Sequence, residues 1–491
     1  MNIKTAVSDF VLKLILVTAA VGIAGCSNQR IVEPPAAVLP VPAPGQLAWH
    51  EMETNAFIHF TINTFTDKEW GYGDESPALF NPAALDVNQW ITTLKEAGFK
   101  MVILTCKHHD GFCLWPSQYT EHSVKNSPYK KGEGDIVREV SDACKKAGLK
   151  FGVYLSPWDR NHKDYGTPLY IAYYRNQLRE LFDAYGPVSE MWFDGANGGD
   201  GYYGGANETR RIDGSSYYDW PTTLAMVREK EPGVIFFSDA GPGVRWVGNE
   251  RGIAGETNWN TITPDTLYAG KAGIERLLET GSENGTHWIP AEVDVSIRKG
   301  WFYHASEDSL VKTPEQLFSI YLSSVGRGST LLLNVPPDRR GLIHENDVKA
   351  LREWRAMIDR EFATNLAQNA MALATNVRGN ADTYLATNAT DGNNNTYWAT
   401  DDNVTNASIE IDMGTERQVK YIVLQEYIAL GQRVKSFNVE AENAGTWTRI
   451  AEGTTIGHKR ILPVDSLTAR KVRVNIEASK ACPLISNIAL Y

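Results

Sequence analysis

Two carboxylates have the surroundings that a catalytic carboxylate needs. Asp194 ends the apolar run Met191-Trp192-Phe193 and opens a glycine-rich loop, and Glu250 lies in a loop shortly after Trp246. Two carboxylates can hydrolyse a glycosidic bond, one as nucleophile or base and the other as acid. An Asp after a strand also serves as the N-cap of a following helix. The residues around Asp194 therefore leave both interpretations open.

Other polar and aromatic residues follow predicted strands and would gather near these carboxylates. They are His59, Trp70, His108, His109, Tyr154, Trp192, Trp246, Glu292, Asp294 and Trp301. His108 and His109 are adjacent and lack the spacing of two metal ligands on one face, so metal-dependent hydrolysis is weakly supported. The chain contains no Gly-x-Ser-x-Gly motif to indicate acyl transfer. Glycoside hydrolysis fits best, because it needs only two carboxylates and a sugar pocket.

Several carboxylates compete with Glu250 for the role of general acid. Asp239, Glu256 and Glu292 are all expected near the same end of the fold. Asp239 ends a strand, where a structural role is common, and Glu292 lies inside an apolar strand. Glu250 has the loop position and a neighbouring Trp246, and partial burial there would raise its pKa. The loop position and the neighbouring Trp246 favour Glu250, and the other carboxylates stay open as alternatives.

The elements that must position these groups repeat a helix–strand pattern. Asp86 and Asp135 each precede a helical run as N-caps, and each run ends in Ala-Gly. A short apolar strand follows each time, at residues 101–104 and 151–155. Strands that are apolar on both faces are typical of a parallel sheet covered by helices.

Eight strands of this kind precede residue 340. They are predicted at residues 55–62, 101–107, 150–156, 189–194, 234–239, 245–248, 288–295 and 329–335. Helices and strands in alternation predict an α/β fold, and eight strands predict a (β/α)8 TIM-like barrel over residues 46–362. The sixth strand is short and the interval before it is too small for a helix, so we expect an irregular barrel. A doubly wound open sheet is the alternative, although no phosphate-binding glycine loop follows the first strand.

The pattern changes after residue 370. Residues 407–412 and 471–476 alternate polar and apolar side chains with period two, and turn residues separate such runs. Short alternating strands predict a C-terminal all-β sandwich, which we place at residues 370–491.

The first residues have the pattern of an export signal. Lys4 and Lys13 precede the apolar run 14–24, which is too short to span a membrane. Small residues before Cys26 resemble the signal of a bacterial lipoprotein. The resemblance implies that residues 1–26 contain a signal peptide, that Cys26 carries lipid, and that the protein is in the periplasm, at the outer membrane or at the cell surface. The prolines of residues 27–45 predict an extended tether.

Charge and cysteine content limit the partners. The net charge of −11 argues against nucleic acid, since no basic groove can form. Membrane attachment is expected through the lipid anchor only. Cys106, Cys113, Cys144 and Cys482 occur where buried residues are predicted, so we expect packed thiols. Export would permit disulfides, and a Cys106–Cys113 pair remains open.

The barrel carries motifs of a known enzyme family. They are Ile58-His59-Phe60, Lys107-His108-His109-Asp110-Gly111-Phe112, Gly152-Val153-Tyr154-Leu155-Ser156 and Trp192-Phe193-Asp194-Gly195. In this order, across the barrel, they resemble the α-L-fucosidases of glycoside hydrolase family 29. The run from Arg245 to Glu250 resembles the subgroup that removes α-1,3- or α-1,4-linked fucose from Lewis-type glycans. The resemblance implies a hydrolase that acts on fucosylated oligosaccharides or glycoconjugates without a catalytic cofactor or metal.

The resemblance also implies roles for single residues. Asp194 would be the nucleophile and Glu250 the acid/base of a retaining double displacement, a mechanism that places the two carboxyls about 5 Å apart. The implied substrate-binding residues are His59, Glu69, Trp70, His108, His109, Tyr154, Trp192 and Trp301. The loop 200–217 is longer than that family leads us to expect.

The C-terminal residues resemble the discoidin-like carbohydrate-binding modules of family 32. The similarity rests on residues 389–393 and 396–398. Such domains often hold a structural calcium with loop carboxylates and carbonyls, so the resemblance implies a calcium site here, although residues 488–491 lack the expected acidic ligand. Because the barrel holds every proposed catalytic group, we expect residues 27–362 alone to act on a simple fucoside.

Two alternatives remain at the level of function. One is a glycosidase of the same family that prefers another sugar with similar hydroxyls, such as galactose. The other is a non-catalytic glycan-binding lipoprotein, against which the presence of both Asp194 and Glu250 argues.

Overall fold

A closed barrel of eight parallel strands forms the first part of the computed structural model, which describes residues 32–491. The proposed signal peptide and Cys26 lie outside the described residues. In chain order the strands up to residue 340 are β1 (Thr54–Ile58), β2 (Met101–Lys107), β3 (Lys150–Leu155), β4 (Glu190–Trp192), β5 (Gly199–Gly201), β6 (Glu208–Arg210), β7 (Ile235–Ser238), β8 (Val244–Trp246), β9 (Thr261–Ile262), β10 (His287–Trp288), β11 (Ala291–Ser296) and β12 (Thr330–Asn334). The barrel order is β1-β12-β11-β8-β7-β4-β3-β2, while β5 with β6 and β9 with β10 form two small separate sheets. The predicted (β/α)8-like barrel and its eight strands are confirmed, although the first strand ends at Ile58 and not at residue 62, and Trp288 of the predicted strand 288–295 belongs to the separate β9–β10 sheet.

Helices cover the barrel strands. They are α1 (Pro44–His50), α2 (Ile62–Thr66), α3 (Val87–Glu96), α4 (Ile136–Ala147), α5 (Pro168–Ala184), α6 (Trp220–Lys230), α7 (Glu275–Thr280), α8 (Pro314–Ser323) and α9 (Glu345–Glu361). Asp86 and Asp135 cap α3 and α4 through their side chains, as the sequence predicts. Gly148 ends α4 at a φ of 75°, a conformation in which a glycine carries no steric penalty. Among the described helices, none is long and apolar enough to cross a membrane.

The barrel is irregular on the side of β8, as expected. Only residues 239–243 separate β7 from β8, and they contain no helix. A long connection follows between β8 and β11, with the short α7 and the β9–β10 pair in place of a full helix. Glu250 lies in the first part of this connection, so its position depends on a segment that the sheet does not hold directly.

The C-terminal part is an antiparallel all-β domain. Its strands are β13 (Met371–Ala374), β14 (Trp398–Ala399), β15 (Ala407–Glu426), β16 (Val434–Asn443), β17 (Thr446–Gly453), β18 (Arg460–Ser479) and β19 (Leu484–Leu490). They form one hydrogen-bonded sheet in the order β14-β19-β15-β18-β16-β17, with β13 on β15. Register shifts interrupt the β15–β18 pair around residues 412–421. A hydrophobic core of its own fills this domain.

The last residues of the predicted tether contact the C-terminal domain. Val38 N donates to Leu430 O at 2.9 Å, and Arg433 Nη2 donates to Ala36 O at 2.7 Å. Pro35 and Pro42 are buried. Residues from Ala36 onward are therefore held by the folded protein, although the sequence predicts an extended tether to residue 45.

The four cysteines of the described chain are free and buried. Cys113 Sγ accepts a hydrogen bond from Gln177 Nε2 at 3.2 Å instead of pairing with Cys106.

Candidate active site

A cavity of about 220 Å³ opens where the barrel strands end at their carboxyl sides. This size is at the small end for a ligand site and suits one sugar ring. Its lining residues are Phe57, His59, Trp70, His108, His109, Trp192, Asp194, Gly195, Ala196, Asp239, Trp246, Glu250, Asp294 and Trp301. Catalytic groups of barrel enzymes collect at this face, and both carboxylates singled out from the sequence are among them.

Asp194 follows β4 directly and is held from two sides. Its Oδ2 accepts a hydrogen bond from Tyr154 Oη at 2.8 Å, and its Oδ1 accepts one from Ala196 N at 2.7 Å. The side chain is 22% exposed, so one edge of the carboxylate faces the cavity. A Cβ on Gly195 would lie 2.1 Å from Asp239 Oδ2, so only glycine permits this close approach of the two strand ends. Asp194 is thus rigidly oriented towards the cavity, as a nucleophile requires.

Glu250 lies at the cavity mouth. Trp301 Nε1 donates to its Oε2 at 3.3 Å. The residue is exposed, but its carboxyl is partly shielded from water, and this shielding raises the pKa of Glu250 above its ordinary value. The negative Asp194 and Glu69 raise the pKa further, and the Trp301 hydrogen bond opposes them. A raised pKa favours the protonated form of Glu250, which is the form that a general acid needs.

Burial favours the neutral form of the three histidines of the cavity. Burial lowers the pKa of His59 to about 3, and burial also lowers the pKa of His108 and of His109. His59 Nδ1 pairs with Asn334 Oδ1 at 2.8 Å, and His109 Nδ1 pairs with Ser156 Oγ at 2.7 Å. The buried Nδ1 of His108 has no hydrogen-bond partner among residues 32–491. Neutral imidazoles both donate and accept, which suits sugar hydroxyls.

Aromatic rings form the floor and walls of the cavity. Trp192 stacks on Phe237 with ring centroids 4.0 Å apart, and Phe57 packs against Trp192 with centroids 5.1 Å apart. Trp70 is 54% exposed and meets His109 edge to face. Such faces suit the apolar side and the methyl group of a deoxy sugar.

Two of the predicted substrate-binding residues do not line the cavity. Tyr154 lies behind Asp194 and is fully buried, so it orients the carboxylate. Glu69 accepts hydrogen bonds from Trp301 N at 2.8 Å and from His304 Nε2 at 2.7 Å, so it holds the loop that carries Trp301. Conversely, Phe57 lines the cavity and was not predicted, although it lies two residues before His59 and shares its strand face.

The other candidates for the acid have different surroundings. Glu256 does not line the cavity, and its pKa is lowered because two arginines bind it, against the opposing effect of burial. Glu292 is buried beneath the floor, where it accepts from Trp192 Nε1 at 3.0 Å, and burial raises its pKa well above the ordinary value. Asp239 does line the cavity, and burial raises its pKa to about 6, but it accepts a hydrogen bond from Gly270 N at 2.7 Å.

The tertiary structure brings a third potential metal ligand beside the adjacent histidines. One ligand atom each of His108, His109 and Asp194 lies within 4.8 Å of the others. The sequence offered no third ligand at suitable spacing, because Asp194 follows a different strand. His109 Nε2 lies 3.8 Å from Asp194 Oδ2.

Comparison with known proteins agrees with this geometry. Residues 38–360 match the family model described as Alpha-L-fucosidase, and residues 373–488 match the F5/8 type C domain. The chain is 40% identical over 471 residues to "Alpha-L-fucosidase 1" of Arabidopsis thaliana, covering 95% of this chain and 90% of that protein. It is 41% identical over 461 residues to "Putative alpha-L-fucosidase 1" of Oryza sativa subsp. japonica, covering 93% and 86%.

Solved structures show the same similarity over both domains. A putative alpha-L-fucosidase from Bacteroides thetaiotaomicron superposes with a TM-score of 0.86 at 42% identity, covering 93% of this chain and 99% of that one. A Ruminococcus gnavus GH29 fucosidase in complex with fucose superposes with a TM-score of 0.84 at 36% identity, covering 94% and 96%. A glycoside hydrolase 29 family member from a rumen bacterium is 46% identical at a TM-score of 0.83, covering 93% and 78%.

Proposed function

Because this chain belongs to the alpha-L-fucosidase family, glycoside hydrolase family 29, we propose that it releases terminal fucose by a retaining double displacement with Asp194 and Glu250. The protein is a glycoside hydrolase. The observation that carries the assignment of residues is that Asp194 and Glu250 line the same cavity. The raised pKa of Glu250 supports its role as the acid.

The two steps use these carboxyls in turn. In the first step Asp194 attacks the anomeric carbon while Glu250 donates its proton to the leaving oxygen, so the glycosidic bond breaks and a fucosyl ester forms. In the second step Glu250, now ionised, takes a proton from water, whose oxygen attacks the same carbon and releases Asp194. Tyr154 and the Ala196 amide keep Asp194 oriented in both steps.

We propose α-1,3- and α-1,4-linked fucose of Lewis-type glycans as the substrate. This proposal rests on the resemblance of residues 245–250 to one subgroup. Arg245 itself is buried and donates to Leu278 O at 2.8 Å and Trp259 O at 3.1 Å, so it organises the loop and does not reach the cavity.

A panel of substrates tests the proposed specificity. Fucose should be released from α-1,3- and α-1,4-fucosylated trisaccharides roughly tenfold or more faster than from an α-1,2-fucosylated one, because a misplaced aglycone loses contacts outside the fucose cavity. Chromatography of the released sugar measures the rates. Faster cleavage of an aryl galactoside than of the matching fucoside would favour the galactose-preferring alternative, and cleavage of none of them would favour a binding protein.

We propose that His108 and His109 bind substrate hydroxyls and hold no catalytic metal. Removal of divalent ions with EDTA is then expected to leave kcat/KM on an aryl fucoside unchanged. Loss of activity on chelation, with recovery on adding zinc, would instead assign a metal to the cluster with Asp194. Dialysis without chelator is the control.

Residues 389–393 offer one carboxylate, that of Asp391, to the calcium that the resemblance implies. The two oxygens of this carboxylate already accept hydrogen bonds from Asn393 N and Thr396 Oγ1, both at 2.7 Å. Calcium takes about six to eight oxygens, which come from carboxylates, backbone and amide carbonyls and water. The Tm of the EDTA-treated protein with and without added calcium measures whether an ion binds here.

We also propose export as a lipoprotein anchored at Cys26, with the enzyme in the periplasm, at the outer membrane or at the cell surface. The support is the sequence pattern of residues 1–26 alone. Fatty-acid labelling of the wild type, absent in Cys26→Ala, is the measurement.

A further inference from the structure

The segment 256–260 lies between the proposed acid/base and the C-terminal domain. It begins six residues after Glu250. Asn258 N donates to Thr455 Oγ1 at 2.8 Å, and Gln432 bridges the next turn by donating to Asn258 O at 2.9 Å and accepting from Asn260 N at 2.8 Å. Because the barrel sheet supplies no strand here, these side chains from the second domain satisfy backbone groups of the segment that would otherwise be unpaired.

Glu256 ties the same segment to both domains through two arginines. Arg460 of the C-terminal domain donates to Glu256 O at 2.8 Å and to Glu256 Oε2 at 2.7 Å. Arg327 of the barrel binds the other carboxylate oxygen and also donates to Ala254 O at 2.8 Å. The Arg460 side chain is 6% exposed, and its Nε has no hydrogen-bond partner within the described part of the chain. Glu256 therefore provides the compensating negative charge for a nearly buried guanidinium, and removing Glu256 would leave that guanidinium without its counter-charge.

The middle of the segment, at Asn258, contacts a residue next to the active site. Asn258 Oδ1 accepts from Arg245 Nη2 at 3.2 Å, and Arg245 lies on β8 beside Trp246, which lines the cavity. Asn249, the neighbour of Glu250, donates from Nδ2 to Ile253 O at 2.9 Å. From the residues that the structure describes, the Glu250 side chain receives only the long 3.3 Å hydrogen bond from Trp301. Its position is thus determined mainly by the backbone on either side.

From these contacts we infer that Arg460, Thr455 and Gln432 of the C-terminal domain are positioning residues for the general acid/base. The inference rests on the proposed role of Glu250. The C-terminal domain holds segment 256–260, and that segment with Arg245 keeps the loop of Glu250 at the correct distance from the leaving oxygen. A barrel-only protein of residues 27–362 is then expected to have a misplaced acid, so it should lose activity on Lewis-type glycans and still act on a simple fucoside, as the sequence predicts.

The inference is tested by substrates that differ in their need for protonation. Arg460→Met keeps the aliphatic part of the side chain and removes the guanidinium. It should lower kcat/KM on a Lewis-type trisaccharide roughly tenfold, a fraction of what a general acid contributes, and leave kcat/KM on a nitrophenyl fucoside within about twofold, because a good leaving group needs little protonation. Arg449→Met is the matched control in the same domain, since Arg449 is exposed and pairs only with surface carboxylates.

Two further variants make the test specific. Gln432→Met removes the hydrogen bonds to Asn258 and Asn260 without leaving a buried charge, and it should give the same selective loss if Arg460→Met fails to fold. Glu256→Gln combined with Arg460→Met should cost less than the sum of the two single changes, because the two side chains share one ion pair. A purely structural role would lower the Tm and reduce kcat/KM equally on both substrates. That result would overturn the inference.

Glu250→Ala, measured in parallel, separates failure of this inference from failure of the proposed function. One outcome is that Glu250→Ala loses kcat/KM selectively on the trisaccharide while Arg460→Met and Gln432→Met show no such selective loss. In that case the positioning role is wrong and Glu250 remains the acid. If Glu250→Ala shows no selectivity, the assignment of Glu250 is wrong, and the inference fails with it.

Discussion

Replacing Asp194 with alanine is expected to lower kcat by on the order of 10⁵-fold on natural and aryl fucosides alike, because no fucosyl ester can form. A good leaving group cannot compensate for a missing nucleophile. Fucose should still bind, since His59, His108 and the aromatic floor remain in place. Steady-state kinetics gives the loss, and calorimetry with fucose shows whether the cavity is intact.

Asp239→Asn is the matched control for this change. Asp239 lines the same cavity and approaches Gly195 closely, but it follows another strand. Replacing Asp239 should lower kcat far less than replacing Asp194 does.

Added azide can enter the space left in Asp194→Ala and attack the fucoside directly, which gives the inverted β-fucosyl azide. Activity of Asp194→Ala within tenfold of the wild type would rule out its assignment as the nucleophile.

Replacing Glu250 with alanine is expected to lower kcat/KM on Lewis-type glycans roughly 10³-fold, because their leaving oxygen must be protonated. On an aryl fucoside with a good leaving group the first step should survive, and the fucosyl ester should accumulate because water lacks its base. Azide needs no base, so it should restore turnover and give the α-fucosyl azide with retained configuration. Stopped-flow kinetics and analysis of the azide product measure both effects.

The pH profile gives a second measurement of Glu250. The wild type needs Glu250 protonated in the first step, so kcat/KM on glycans should fall as the pH rises through the pKa of Glu250. Burial raises that pKa, which extends activity to higher pH than an ordinary Glu would allow. The alkaline decline should be absent in Glu250→Ala acting on an aryl fucoside. Azide rescue in Glu292→Ala or Glu256→Ala, and not in Glu250→Ala, would move the acid to that residue.

The barrel itself was accessible to sequence reasoning because its signals are local. An N-cap Asp, a terminal Ala-Gly and an apolar strand occur together within residues 86–104 and again within residues 135–155. Each of these signals acts over one turn or one strand. The residues at the strand ends followed from the same argument, since all parallel strands of a barrel end at one face. His59, His108 and Asp194 could thus be placed together without any long-range information.

Roles that depend on side-chain direction could not be predicted in the same way. Tyr154 and Glu69 were grouped with the substrate-binding residues, yet in the structure one supports Asp194 from behind and the other holds the Trp301 loop. A strand position tells which end of the barrel a residue occupies, but it does not tell which neighbour its polar atom will meet.

What the sequence by itself determined was the class of the fold, the face of the barrel that carries the chemistry, and the family resemblance, because short-range patterns encode all three. Only the tertiary structure decided which groups meet across distance. Asp194 approaches two histidines from another strand, and Glu256 meets Arg460, which is 204 residues away. Such contacts form when hydrophobic burial brings distant segments together, and no local pattern in the chain records them.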